Sequence, residues 1–137
     1  MQIKTISKEH YLKSALLLFL ILIGILTTFY NGFGFEFVHN HLGGVIYVVF
    51  WILFFSNIFP KYTPIKMSIL VFIVTTIIEF TQLIHVHILD KFREHFLFRA
   101  LFGSIFNMGD FIWYLLGVVI GCLVLKSISK KNYKNAL

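Results

Sequence analysis

A succession of long apolar runs, separated by short breaks, constrains this chain more than any other feature. Residues 14–30, 42–59 and 65–89 each reach the length of about 17 residues or more that a helix needs to cross hydrocarbon. The breaks are of three kinds. Lys4, Lys8 and Lys13 precede the first run, and Asn31, Gly32, Gly34 and Asn40 mark a loop after it. Pro60, Lys61 and Pro64 end the second, because proline removes a helix donor and restricts the residue before it. A charged stretch, DKFREH at residues 90–95, ends the third. Over 137 residues, 58% are hydrophobic and only 13% charged, against about 45–50% and 25% in soluble domains. A small soluble domain buries too little of its surface to hide so much apolar area. Composition therefore excludes a soluble domain and a disordered chain, and the solvent to reason from is a bilayer.

The ends of the runs need more care. The first is longer than a signal-peptide core and lacks a clean small-x-small cleavage site, so it reads as an uncleaved helix. Residues 96–106 are apolar but hold Arg99 and span too little, which suits an interfacial or re-entrant segment at about 96–104. The strictly apolar stretch 111–125 covers only about 22 Å at 1.5 Å per residue. Extended back to 105 it reaches a full span and takes in Asn107 and Asp110. The expected fold is all-α: a single domain over 1–137, an integral membrane bundle with transmembrane helices at about 14–30, 42–59, 65–89 and 105–125.

Net charge is +6, yet the basic residues sit in flanks of apolar runs, where they orient helices rather than bind nucleic acid. Lys4, Lys8, Lys13, Lys61, Lys66, Lys126, Lys130, Lys131 and Lys134 share one side of a four-crossing topology, against Lys91, Arg93 and Arg99 on the other. That bias places both termini in the cytoplasm. Cys122 is the single cysteine and lies in an apolar run, so it does not report redox compartment.

Glu79 is the most informative residue. Near the centre of a span, an ionised side chain costs on the order of 2.5–3.5 kcal/mol even on lenient insertion scales. Thr75, Glu79 and Gln82 follow i, i+4, i+7 spacing and make one polar stripe. A second stripe, Asn107, Asp110, Tyr114, Gly117 and Gly121, falls on one face if the last helix starts at 105. Its Gly117-x-x-x-Gly121 half suits close helix packing. Arg99 is placed to bridge Glu79 or Asp110, or to hold a phosphate; snorkelling to headgroups is its plainer role. Two readings remain open for these residues: hydrogen-bonding glue between helices, or a polar intramembrane pocket. His39, His41, His85, His87 and His95 fall on the expected outer side without metal-ligand spacing, so no metal or cofactor is expected. Asp110 also suits a helix cap.

The string IIEFTQL at residues 77–83, the charged loop, and FRALFGSIFNMGDFIWYLLGVVIG at 98–121 resemble the domain-of-unknown-function 2809 family of small bacterial membrane proteins, related to the VanZ-like superfamily. The shared skeleton reads here as Glu79, Gln82, Arg99, Asp110, Tyr114, Gly117 and Gly121. Tyr114 stands where VanZ-like members carry Asn, and Gly44 replaces an acid in the segment 39–51. The resemblance implies a four-helix protein of the bacterial cytoplasmic membrane whose activity is not established. VanZ-like relatives are associated with low-level teicoplanin resistance. The leading expectation is a pocket of Glu79, Gln82, Arg99, Asn107, Asp110 and Tyr114 that binds a lipid headgroup or a lipid-linked, phosphate-bearing envelope precursor. The alternative is a structural or assembly subunit. An enzyme ranks last, since no residue supplies a nucleophile.

Overall fold

The computed structural model describes residues 2–84, 90–92, 94–95, 98, 102 and 106–134. All secondary structure among them is helical: α1 (Gln2–Phe29), a single turn α2 (Phe35–Phe37), a π-helical turn (Val38–Leu42), α3 (Gly43–Ile58), α4 (Pro64–Thr81) and α5 (Asp110–Lys134). Local chemistry sets most of these boundaries. After α1 the chain reverses at Gly34, whose φ of 73° lies in the left-handed region that glycine adopts without a steric penalty. Phe37, Val38, Leu42 and Gly43 all have right-handed helical geometry. α2, the π turn and α3 thus form one rod with a widened turn in it. Phe59, held out of helical geometry before Pro60, ends that rod. Thr63 then caps α4: it is extended, its hydroxyl accepts from the Lys66 N–H, and Pro64 occupies the first helical position.

Three boundaries differ from the sequence expectation. α1 starts at Gln2 rather than 14, because its charged first turns are themselves good helix formers. Lys13 is buried there, its ammonium 2.7 Å from the Glu9 carboxylate one turn away. α4 ends at Thr81 rather than 89. Gln82, Leu83 and Ile84 each donate their N–H to a carbonyl three residues back, which tightens the chain out of the α-helix. α5 starts at Asp110 rather than 105, since the Asn107 side chain accepts from the Gly109 N–H and folds residues 107–110 into a turn. It continues to Lys134, carrying the basic tail as helix. The expected segment 96–104, apart from Phe98 and Phe102, lies outside the described residues.

Among the described residues three helices are long and apolar enough to cross a membrane: Lys8–Phe29 within α1, Pro64–Thr81, and Asp110–Ser129 within α5. α3, with 16 residues, is apolar but shorter, where the sequence expects a fourth full span. It is nonetheless the centre of the molecule. Its Val45, Val48, Val49, Ile52 and Leu53 meet Met67 and Val71 of α4 and Leu125 and Ile128 of α5 in one core. α1 lies at the periphery, with only 6% of its span buried.

α3 and α5 approach most closely along the two glycines. A Cβ at Gly117 would lie 2.9 Å from Val48 Cβ and 3.0 Å from the Val45 carbonyl oxygen, and one at Gly121 2.6 Å from Ile52 Cδ1. The neighbours at Gly117 are backbone atoms of Val45 and a Cβ fixed directly to the Val48 backbone, so nothing there can swing aside. Gly117→Ala is expected to destabilise the folded protein in detergent by about 1–3 kcal/mol, the usual cost of overpacking. Gly24→Ala, whose Cβ would meet nothing within 4 Å, is expected to be neutral or to stabilise by up to about 1 kcal/mol. Thermal melts of the two variants, followed by circular dichroism, check this opposition.

Candidate functional site

Glu79 occupies the last turn of α4 and is 1% exposed. A buried carboxylate must find donors inside the protein, because hydrocarbon offers none. Here three arrive from three directions. The Asn107 backbone N–H donates to Oε1 at 3.0 Å, the Tyr114 hydroxyl to Oε2 at 2.8 Å, and Gln82 Nε2 to Oε2 at 3.4 Å. The last is the weakest, since Gln82 Nε2 also donates to the Phe102 carbonyl at 2.9 Å. Glu79 thereby ties together α4, the turn before α5 and the first turns of α5 itself.

The turn is held from the other side as well. Asn107 Nδ2 donates to Asp110 Oδ1 at 3.0 Å, and the Asp110 N–H donates to the Asn107 carbonyl at 3.0 Å. Asn107 therefore precedes the helix instead of lying on its face, which corrects the five-residue stripe. Asp110, Tyr114, Gly117 and Gly121 remain on one side of α5, spaced four, three and four. Thr75, one turn below Glu79, is buried and bonds its own helix at the Val71 and Phe72 carbonyls, so it takes no part.

Aromatic rings wall this polar node. Tyr114 has the Tyr47 and Phe111 rings as neighbours, each with its centroid 6.4 Å away. Phe80 and Phe106 close over Phe111 at 5.8 and 6.1 Å. Gly44 supplies room: a Cβ there would lie 3.2 Å from the Tyr114 ring. The large side chain at 114 and the missing one at 44 are two halves of one fit.

The structure adds His41 to this end of the bundle. It lies in the π turn, stacks on Trp113 with centroids 4.6 Å apart, and is met edge-on by Phe37. It is within electrostatic reach of Asp110. Its Nδ1 and the Oε1 of Gln82 are buried polar atoms without a hydrogen-bond partner among the described residues. Sequence reasoning grouped His41 with the interfacial histidines, and periodicity held no signal that it would stack on Trp113. Tyr47 was missed for the same reason. Of the expected site residues, Glu79, Gln82, Asn107, Asp110 and Tyr114 come together, and Arg99 lies outside the described residues. No cluster of His, Cys, Asp and Glu suited to a metal occurs among the described residues.

A family model described as "Protein of unknown function (DUF2809)" matches residues 33–118, more than half of the chain. The chain belongs to the DUF2809 family. The matched region runs from just before α2 to Val118 in α5. The whole polar node therefore lies inside the DUF2809 region, whereas α1 and the basic tail lie outside it. No curated protein and no solved structure matches the chain.

In this DUF2809 member, Tyr114→Phe removes one donor from Glu79 and leaves the ring in place. We expect a loss of about 1 kcal/mol in stability, the scale of an interhelical hydrogen bond in membranes. Combined with Glu79→Gln in a double-mutant cycle, the two changes should couple by about 0.5–3 kcal/mol, as interacting neighbours do. Purely additive melting shifts would contradict the pairing.

Proposed function

We propose that this protein is a multi-pass protein of the bacterial cytoplasmic membrane that binds a lipid headgroup, or the headgroup of a lipid-linked envelope precursor, at the polar end of the α3–α4–α5 bundle. Glu79 frames the site by fastening the turn before α5. In this reading Arg99 takes a phosphate and Asp110 orients the group attached to it. The observation that carries this reading is that two of the four buried polar atoms without a partner among the described residues, His41 Nδ1 and Gln82 Oε1, lie at the Glu79 end of the bundle, the others being Trp51 Nε1 and Thr76 Oγ1. Buried polar atoms are almost always satisfied, so two at one end of a bundle call for an outside partner.

Orientation follows from the lysines. The start of α1, the α3–α4 connection and the end of α5 carry the excess of basic residues, which supports a topology with both termini in the cytoplasm and the polar node at the outer end. The resemblance to VanZ-like proteins favours an envelope precursor as ligand, by analogy with their association with glycopeptide resistance.

A second reading has a specific observation in its favour. Glu79 is sealed at 1% exposure with its oxygens already engaged, as expected if the polar residues only lock helices together in a structural or assembly subunit. Native mass spectrometry in mild detergent separates the two. Wild type is expected to retain a phospholipid or lipid-linked phosphate, and Arg99→Ala and Asp110→Asn to lose it with helicity unchanged. A lipid-free wild type, or variants that retain lipid as wild type does, would leave only the structural reading.

A further inference from the structure

A second feature lies on the opposite side of α3 and stands without the polar node. α1 and α3 touch near the basic end of the bundle, where His10 Nδ1 and Asn57 Oδ1 are hydrogen-bonded at 3.0 Å and Leu16, Leu17 and Leu20 pack against the core. Past the end of α1, His39 Nε2 donates to the Tyr30 carbonyl at 3.0 Å. Between these two contacts lies a half-open wedge of about 640 Å³, walled by Gly24, Thr28, Gly43, Ile46, Tyr47 and Trp51.

Its walls specify the occupant. Thr27 and Thr28, both on its wall, donate their hydroxyls to the Gly24 carbonyl at 2.7 and 3.0 Å, so these polar groups are already engaged. The trough itself offers almost no polar surface, so it rejects ions, sugars and headgroups. The two glycines facing each other across it behave unlike Gly117 and Gly121. A Cβ at Gly24 or Gly43 would meet nothing within 4 Å. A mid-helix glycine costs about 1 kcal/mol relative to alanine, and at Gly24 no close helix contact offsets that cost. What it preserves is open space. The wedge lies inside the apolar spans, where an apolar void stays dry. The one abundant material there able to fill it is hydrocarbon chain.

We propose that the α1–α3 wedge is a binding site for one acyl chain of a membrane phospholipid, with the lipid's polar end at the His39–Tyr30 contact. Trp51 is one of only two tryptophans, and the other, Trp113, stacks on His41 away from the wedge. In a Trp113→Phe background, Trp51 is therefore a local reporter. The protein is reconstituted in phosphatidylcholine vesicles containing increasing fractions of phosphatidylcholine brominated midway along its acyl chains. Trp51 emission should be quenched in proportion to the brominated fraction, as for a single site. Gly24→Leu and, separately, Thr28→Leu should each reduce that quenching at least twofold at unchanged helical circular dichroism. The wild-type dependence is decisive even if one filling variant fails to fold. Three results would overturn the proposal: absence of quenching, a steep dependence reporting several bulk lipids, or quenching that both folded variants leave unchanged. Trp51 shielded from lipid together with disulfide-linked dimers of Gly24→Cys would assign the wedge to a second copy of the chain instead.

Discussion

The structure around the polar end depends on one constraint: a carboxylate inside an apolar bundle has to be surrounded by donors. Glu79 has three, and they come from residues 28 and 35 positions further along the chain as well as from its own helix turn. Removing water makes each of these bonds matter more, since an unpaired buried group in low dielectric costs far more than it does at a surface. The same requirement explains why the turn at 107–110 is so fully bonded. The Asn107 N–H must point at Glu79, and it does so only while its side chain holds Gly109 and Asp110. The start of α5 is therefore a consequence of Glu79 as much as of local propensity.

This chain of dependence also shows where sequence reasoning worked and where it stopped. Glu79 stands out because a charge in an apolar run is expensive, whatever surrounds it. Tyr114 could be placed on the same helix face as Asp110 because both follow from one period. That the Tyr114 hydroxyl reaches Glu79 is a tertiary fact, fixed by how α4 and α5 pack on α3. Hydropathy also misplaced the start of α5: residues 105–109 are apolar enough to continue a span, but Asn107 competes for the backbone and folds a turn. The end of α4 was overextended for the same reason. Residues after Thr81 are apolar and periodic, yet Gln82 directs its amide to Phe102 and the chain leaves the helix. Side-chain hydrogen bonds to backbone overrode periodicity at both places.

His41 illustrates a different limit. Its neighbours in sequence, HNH at residues 39–41, have neither helical nor metal spacing. Residues two apart on a helix point to roughly opposite sides, and so His39 and His41 face different sides of the rod. His39 reaches back to Tyr30 at the end of α1, while His41 lies on Trp113 of α5. Two residues two apart thus tie the rod to different helices, one to the end of α1 and the other to α5.

The glycines carry the argument furthest. In sequence Gly24, Gly44, Gly117 and Gly121 are indistinguishable, small residues in apolar helices, and only a spacing of four singles out the last pair. In the folded chain they do three separate things. Gly117 and Gly121 admit the backbone and side chains of α3 at van der Waals limits, Gly44 admits the ring that satisfies Glu79, and Gly24 admits nothing that belongs to the protein. The first two uses are settled by contacts within the chain. The third leaves a space that no described residue fills, and around helices long and apolar enough to cross hydrocarbon the material proposed to fill it is lipid.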